Sequence, residues 1–147
     1  MDRNIYIGII VTTIILVLML GDQMYVGIWY YLGIPIIAFI LTAFFKPSSF
    51  YLTGIGLAIF ITYIPYYWHN LAATNPEGLI GLGHLFSLPG LLIGIVFSAI
   101  YLKNKNKSVY FVTSLGFSVS LVGYAINQLI VCNSLMYCGS FLTRINS

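Results

Sequence analysis

Five stretches without a charged side chain cover most of this chain, and they decide what it can fold into. Residues 4–21, 23–45, 47–76, 78–102 and 108–143 contain no Asp, Glu, Lys or Arg. A helix that crosses a bilayer needs roughly 17–25 predominantly apolar residues. Each run is long enough for one crossing, and each break is a point where the chain can meet water. Composition agrees: 60% of the 147 residues are hydrophobic and 6% are charged, against about 45–50% and about 25% in a soluble domain. With so few charges a soluble fold could not cover its own surface. The expected fold class is therefore all-α, a polytopic integral membrane helix bundle in one domain spanning 1–147. It has five transmembrane helices, or four if the first or last run lies in the interface. The net charge of +3 is too small for the basic patch that a nucleic-acid partner requires. The bilayer itself is the expected partner, with another membrane protein as the candidate second one.

Start and stop signals place the helices near 4–20, 24–45, 50–68, 79–102 and 108–130, followed by a tail over 131–147. Gly21-Asp22-Gln23 reads as a tight turn. The apolar core after Arg3 is too long for a signal peptide, and no Ala-x-Ala-like site follows it. Cys138 is not in a C-terminal CaaX box and residue 2 is Asp, so no lipidation signal is read. Lys46-Pro47-Ser48-Ser49 ends the second helix and offers a serine cap to the third. Asn75-Pro76-Glu77 is a helix start with Asn as N-cap, Pro at the first helical position and an acid beside the positive end of the dipole.

With five crossings, one side of the membrane receives Arg3, Lys46, Lys103, Lys105 and Lys107, five of the six basic residues. The positive-inside rule then predicts a cytoplasmic N-terminus, an outer C-terminus and a location in the cell (inner) membrane. Tyr25, Trp29, Tyr30 and Tyr31, with Tyr63, Tyr66, Tyr67 and Trp68, fall at the outer helix ends, where amphipathic rings anchor at headgroup level. Pro35, Pro65 and Pro89 lie inside helices. Each removes a backbone donor, and each reads either as shape or as a hinge at a binding site. Ser87-Leu88-Pro89-Gly90 is the best candidate for a broken helix.

The clearest motif is in the fourth helix. Gly83, Ser87, Gly90, Gly94 and Ser98 follow steps of four, three, four and four, and so share one face. Small residues there let two helix backbones approach closely. Gly54 and Ala58 form a shorter version in the third helix. Ser114 and Ser118, with Gly116 and Ser120 alongside, do so in the fifth. Such a seam packs within the bundle or against another chain. Leu92 reads as a residue facing lipid.

The predicted interior has no acid or lysine, which argues against ion-coupled transport, and no catalytic set or phosphate loop is present. One polar constellation remains at the outer end: Asp22, His69, Glu77, His84, Asn127 and Gln128, then Cys132, Met136 and Cys138 in the tail. His69 and His84 share a depth and, with carboxylates or thiols, are of the types that bind zinc, copper or haem iron. An amphipathic end group anchored at the headgroups is the competing reading. Within one continuous helix Cys132 and Cys138 would have Cα atoms about 9–10 Å apart, so a disulfide between them requires the helix to have ended. Reduced, they would act as small hydrophobes. No cofactor is required by any motif. The expected function is that of a non-catalytic multi-pass protein acting by contact with a membrane partner, as an accessory or immunity-type protein would. The alternatives are a metal- or haem-binding protein using His69 and His84, and a small transporter or channel with an uncharged path.

Overall fold

The computed structural model describes residues 1–20, 27–72, 79–103, 105 and 107–134, with side chains for all of these except 20, 27–30, 66–72 and 79–82. The described residues form five helices: α1 (Asp2–Leu20), α2 (Gly27–Phe45), α3 (Tyr51–Ala72), α4 (Leu79–Leu102) and α5 (Val109–Ser134). They contain no strand. The expected starts of α4 at Asn75-Pro76-Glu77 and of the turn at Gly21-Asp22-Gln23 lie outside the described residues.

The connection between α2 and α3 shows how local chemistry sets the ends. Lys46 adopts φ 48° and its N–H donates to the Thr42 carbonyl at 2.9 Å. This is the left-handed closure that usually recruits glycine, with Pro47 behind it to stop the helix. Phe50 is also left-handed, at φ 67°, an unusual state for a bulky residue. The serines do not cap α3. Ser48 Oγ instead donates to the Lys105 carbonyl at 2.5 Å and lies 3.3 Å from the Leu102 carbonyl, closing the C-terminal end of α4. The cap of α3 comes from α1: Asp2 accepts the backbone N–H of Leu52 at 3.2 Å and of Thr53 at 2.8 Å, and the Thr53 hydroxyl at 2.6 Å. A carboxylate at that position satisfies open donors and complements the helix dipole. Ser108 caps α5, its Oγ accepting from Phe111 N at 3.4 Å.

The bonds of Asp2 and of Ser48 join elements far apart in sequence, and they gather the start of α1, the α2–α3 loop and the α4–α5 loop at one end of the bundle. The Thr113 hydroxyl adds a third tie, donating to the Phe50 carbonyl at 3.1 Å. That end carries Arg3, Lys46, Lys103, Lys105 and Lys107. Lys105 Nζ lies over the Tyr101 ring, 3.6 Å from its centroid.

Packing is closest along α4 and α5, which run antiparallel. A Cβ on Gly90 would collide with the Gly123 carbonyl oxygen, and one on Gly123 would collide with the Gly90 oxygen. A Cβ on Gly94 would sit 2.6 Å from Val119 O and 2.9 Å from Ser120 Cα. The small-residue face of α4 thus meets α5 of the same chain. α5 also runs alongside α3, where a Cβ on Gly54 would strike the Thr113 backbone and one on Gly116 would lie 2.9 Å from the Tyr51 ring. α1 lies along α3, with Tyr6 Cδ2 3.0 Å from the Cβ position of Gly56. Tyr6 also donates to the Pro35 carbonyl of α2 at 2.7 Å.

Three expectations are corrected. Ser114 and Ser118 are exposed, whereas Gly116 and Ser120 carry the packed face of α5. α4 runs unbroken through Pro89, and the Asn127 side chain donates to the Phe86 carbonyl at 2.7 Å in the turn that the proline loosens. Leu92 is half-buried against the core; the outward side of α4 is led by Ile93, 69% exposed, and Phe97, 68% exposed.

Besides its apolar core, the bundle buries hydroxyl groups and exposes many large apolar side chains. Thr13, Thr42, Thr62, His84, Ser87, Ser98 and Ser120 are buried, while Ile7, Val11, Ile15, Ile40, Phe44, Ile126 and Ile130 are exposed. Threonine hydroxyls bond back into their own helices, as in Thr13 to Ile9 O at 2.8 Å and Thr42 to Ala38 O at 2.8 Å. Such a surface suits hydrocarbon, where polar groups must find partners inside the protein. Among the described residues, three helices contain segments long and apolar enough to cross a membrane: Asp2–Met19, Gly83–Leu102 and Val109–Ser134. Shorter apolar segments cover Tyr31–Phe45 and Tyr51–Pro65.

Gly90→Ala should therefore cost about 1–3 kcal/mol, because the added carbon meets backbone that cannot yield, whereas Ile93→Ala should cost about 0.5 kcal/mol or less. Unfolding in mixed detergent measures both, and equal costs would mean that α4 and α5 do not approach at Gly90. By the same assay Asp2→Ala should cost about 0.5–2 kcal/mol through the lost cap, and an unchanged Asp2→Ala would remove α1 from the role of capping α3.

Candidate functional site

The most concentrated buried polarity lies where α2, α3, α4 and α5 converge on His84. Its ring is 5% exposed. The Tyr63 ring of α3 packs against it with centroids 4.7 Å apart, and the Tyr124 ring of α5 at 5.4 Å. Tyr31 of α2 extends the cluster, 5.4 Å from Tyr63. The imidazole also hydrogen-bonds to the backbone of Thr62, whose own hydroxyl donates to Ile59 O at 2.7 Å. The face arithmetic explains the convergence. Tyr51, Ile55, Ile59 and Tyr63 recur every four residues on the buried side of α3. His84 precedes Ser87 by one turn on the small-residue face of α4, and Tyr124 follows Ser120 by four on α5.

Directly beside this cluster runs a hydrogen-bonded strip between α4 and α5. Ser87 is fully buried; its Oγ donates to Gly83 O at 2.8 Å and contacts Gln128 Oε1. Gln128 Nε2 donates to Cys132 Sγ at 3.4 Å. Further along α4, Ser98 Oγ bonds to Gly94 O at 2.7 Å and shares a 2.7 Å hydrogen bond with Tyr51, whose hydroxyl donates to Ile95 O at 2.5 Å. Ser120 Oγ is buried and has no hydrogen bond among the described residues.

These positions resolve part of the expected constellation. His84, Asn127 and Gln128 lie on facing turns of α4 and α5. Cys132 belongs to α5 rather than to a tail, because the helix continues to Ser134, and its sulfur is in a disulfide; Cys138 lies outside the described residues. Asp22, Glu77 and Met136 also lie outside them, as does the side chain of His69, although its backbone is helical. Tyr31 and Tyr63 are not headgroup anchors: both are buried, turned inward by the faces they occupy. Among the described residues no group of three His, Cys, Asp or Glu side chains gathers to hold a metal. His84 with Tyr63 and Tyr124 offers hydrogen bonding and aromatic packing. Comparison of the chain with protein-family models, curated proteins and solved structures finds no match.

If the strip is held by reciprocal bonding, Ser87→Ala and Gln128→Leu should each destabilise by about 0.6–1.7 kcal/mol, while the double variant should lose less than the sum. A double-mutant cycle by detergent unfolding reads the coupling. Strict additivity would mean that the two side chains do not interact.

Proposed function

We propose that the protein is a five-span membrane bundle with a cytoplasmic N-terminus and an outer C-terminus, and that it acts by contact with another membrane protein rather than by catalysis. Support for five spans comes from the helix directions. Contacts at Asp2 with Thr53 and Phe50 with Thr113 make α1, α3 and α5 parallel, and the pairing of Phe86 with Asn127 and Ser87 with Gln128 makes α4 run opposite to them. Support for the orientation comes from the basic residues, which share one end of the bundle.

The observation that carries the contact reading is at Gly8. The seam of α4 is filled by α5, so a partner helix needs another small-residue surface. A Cβ at Gly8 of α1 would have nothing within 4 Å, and Thr12, one turn on, is exposed with its hydroxyl bonded to Gly8 O at 2.9 Å. A glycine whose open side faces lipid permits the close approach of a second helix backbone. Ser87, Ser98 and Gln128 are meanwhile engaged inside the bundle, which leaves the outer helix faces as what the protein presents. An accessory or immunity-type role fits that arrangement.

Photo-crosslinkers at Ile7 and Val11, beside Gly8, should trap one discrete membrane protein in native membranes, and Gly8→Trp should abolish the adduct without lowering folded yield; a probe at Phe97 should give lipid adducts. Lipid adducts at all three sites would refute the contact reading. An absorbance band or bound metal lost in His84→Ala would replace it with the metal or haem reading. Reporter fusions after Lys105 and after Ser147 should report opposite compartments, and matching compartments would refute five spans.

A further inference from the structure

At the basic end, α1, the last turns of α2 and the α2–α3 loop enclose an open pocket of about 440 Å³. Its lining includes the exposed Arg3, Lys46 and Ser49 and, from α2, the apolar Phe39 and Ala43. The acid in its wall, Asp2, is engaged: both carboxylate oxygens accept from the first turn of α3. Thr42 and Ser48, also in the wall, direct their hydroxyls to carbonyls. Arg3, Lys46 and Ser49, by contrast, have no ion pair and no side-chain hydrogen bond among the described residues. The loop that holds Lys46 at the pocket carries two left-handed non-glycine residues, Lys46 and Phe50. Backbone in such states persists only where the surroundings fix it, and it collects at ligand sites.

We propose that this pocket binds the phosphate of an anionic membrane lipid. The inference rests on the membrane reading above. A pocket at the common end of three helices lies at headgroup depth. Two cations and a hydroxyl donor line it, and the carboxylate of Asp2 is turned to the first turn of α3, whose donors it accepts. Arginine matches a phosphate with paired donors, and lysine adds a point charge. Phe39 and Ala43 make part of the lining apolar, and the neighbouring Phe44 of α2 is exposed, so acyl chains can lie along this side. A free phosphate would find the cations but would leave Phe39 and Ala43 uncovered, so the lipid is the better match.

The test is native mass spectrometry of the full chain released from mild detergent after incubation with phosphatidylglycerol or phosphatidylcholine. One phosphatidylglycerol should be retained per chain, and phosphatidylcholine should not. Each basic residue near an anionic lipid contributes about fivefold, so Arg3→Gln with Lys46→Gln should weaken retention about 25-fold. Lys103→Gln with Lys107→Gln, at the same end but outside the pocket, should leave it within about twofold. Ala43→Trp, which places a bulky side chain in the apolar lining without changing charge, should also abolish retention. Equal retention of the two lipids, an equal effect of the two charge pairs, an inert Ala43→Trp, or displacement by millimolar inorganic phosphate would each overturn the lipid site. Carbonate extraction of the protein from membranes is a separate reading: release into the soluble fraction would defeat the membrane assignment itself, whatever the lipid result.

Discussion

The backbone contact between α4 and α5 is the constraint on which the rest depends. Lipid tails are as apolar as leucine, so helices in a bilayer gain little from hydrophobic association and must instead pack closely and pair their polar groups. Gly90, Gly94 and Gly123 provide the first: each would drive a Cβ into the facing backbone. Close approach then makes the second possible. Asn127 reaches the Phe86 carbonyl and Gln128 reaches Ser87, in the turns flanking Pro89. The proline that would otherwise leave a poorly satisfied turn is thus accommodated by the neighbouring helix, and α4 stays continuous. His84 and Tyr124 meet because they extend the same two faces by one further turn.

The opposite end of the bundle is organised by bonds of long sequence reach rather than by glycines. Asp2 on α3, Ser48 on the end of α4 and Thr113 on the α2–α3 loop tie four helices into one rim. These bonds satisfy helix ends that the chain's own local sequence leaves open, which is why the Ser48-Ser49 pair, an obvious local cap, serves a different helix. They also hold the strained loop from Lys46 to Phe50. The basic residues gathered here, the left-handed backbone and the open pocket are therefore one structural unit. Lipid binding at that unit and protein contact at α1 are compatible, since they use different depths of the bundle.

Much of the architecture is legible in the sequence, because the charge-free runs and turn residues are unambiguous. The α4 bounds follow from them directly, and the small-residue steps from Gly83 to Ser98 identify the buried face. What the sequence conceals is rotation. With nearly every position apolar, helix faces differ little in hydropathy, so Leu92 reads like Ile93, and Ser114 reads like Ser120. Tyr31 and Tyr63 carry the composition of an interfacial belt, and only the four-residue recurrence from Tyr51 to Tyr63 betrays an inward face. Asp2 as the cap of α3, and Ser48 as the cap of α4, are tertiary facts that no local pattern encodes. The offset of His84 from Ser87 turns it towards the bundle; its aromatic company from α3 and α5 follows only from the packing.

The central claim is that the outward faces of these helices look at lipid while the small-residue faces look at each other. Spin labels at Ile93 and Phe97, compared with labels at Leu91 and Ile95 in α4 of the reconstituted protein, test it most directly through collision with oxygen and with a water-soluble nickel chelate. The account predicts frequent collision with oxygen and rare collision with nickel at Ile93 and Phe97, and rare collision with either at Leu91 and Ile95. Free access of nickel to Ile93 and Phe97, or no contrast between the two pairs, would contradict it.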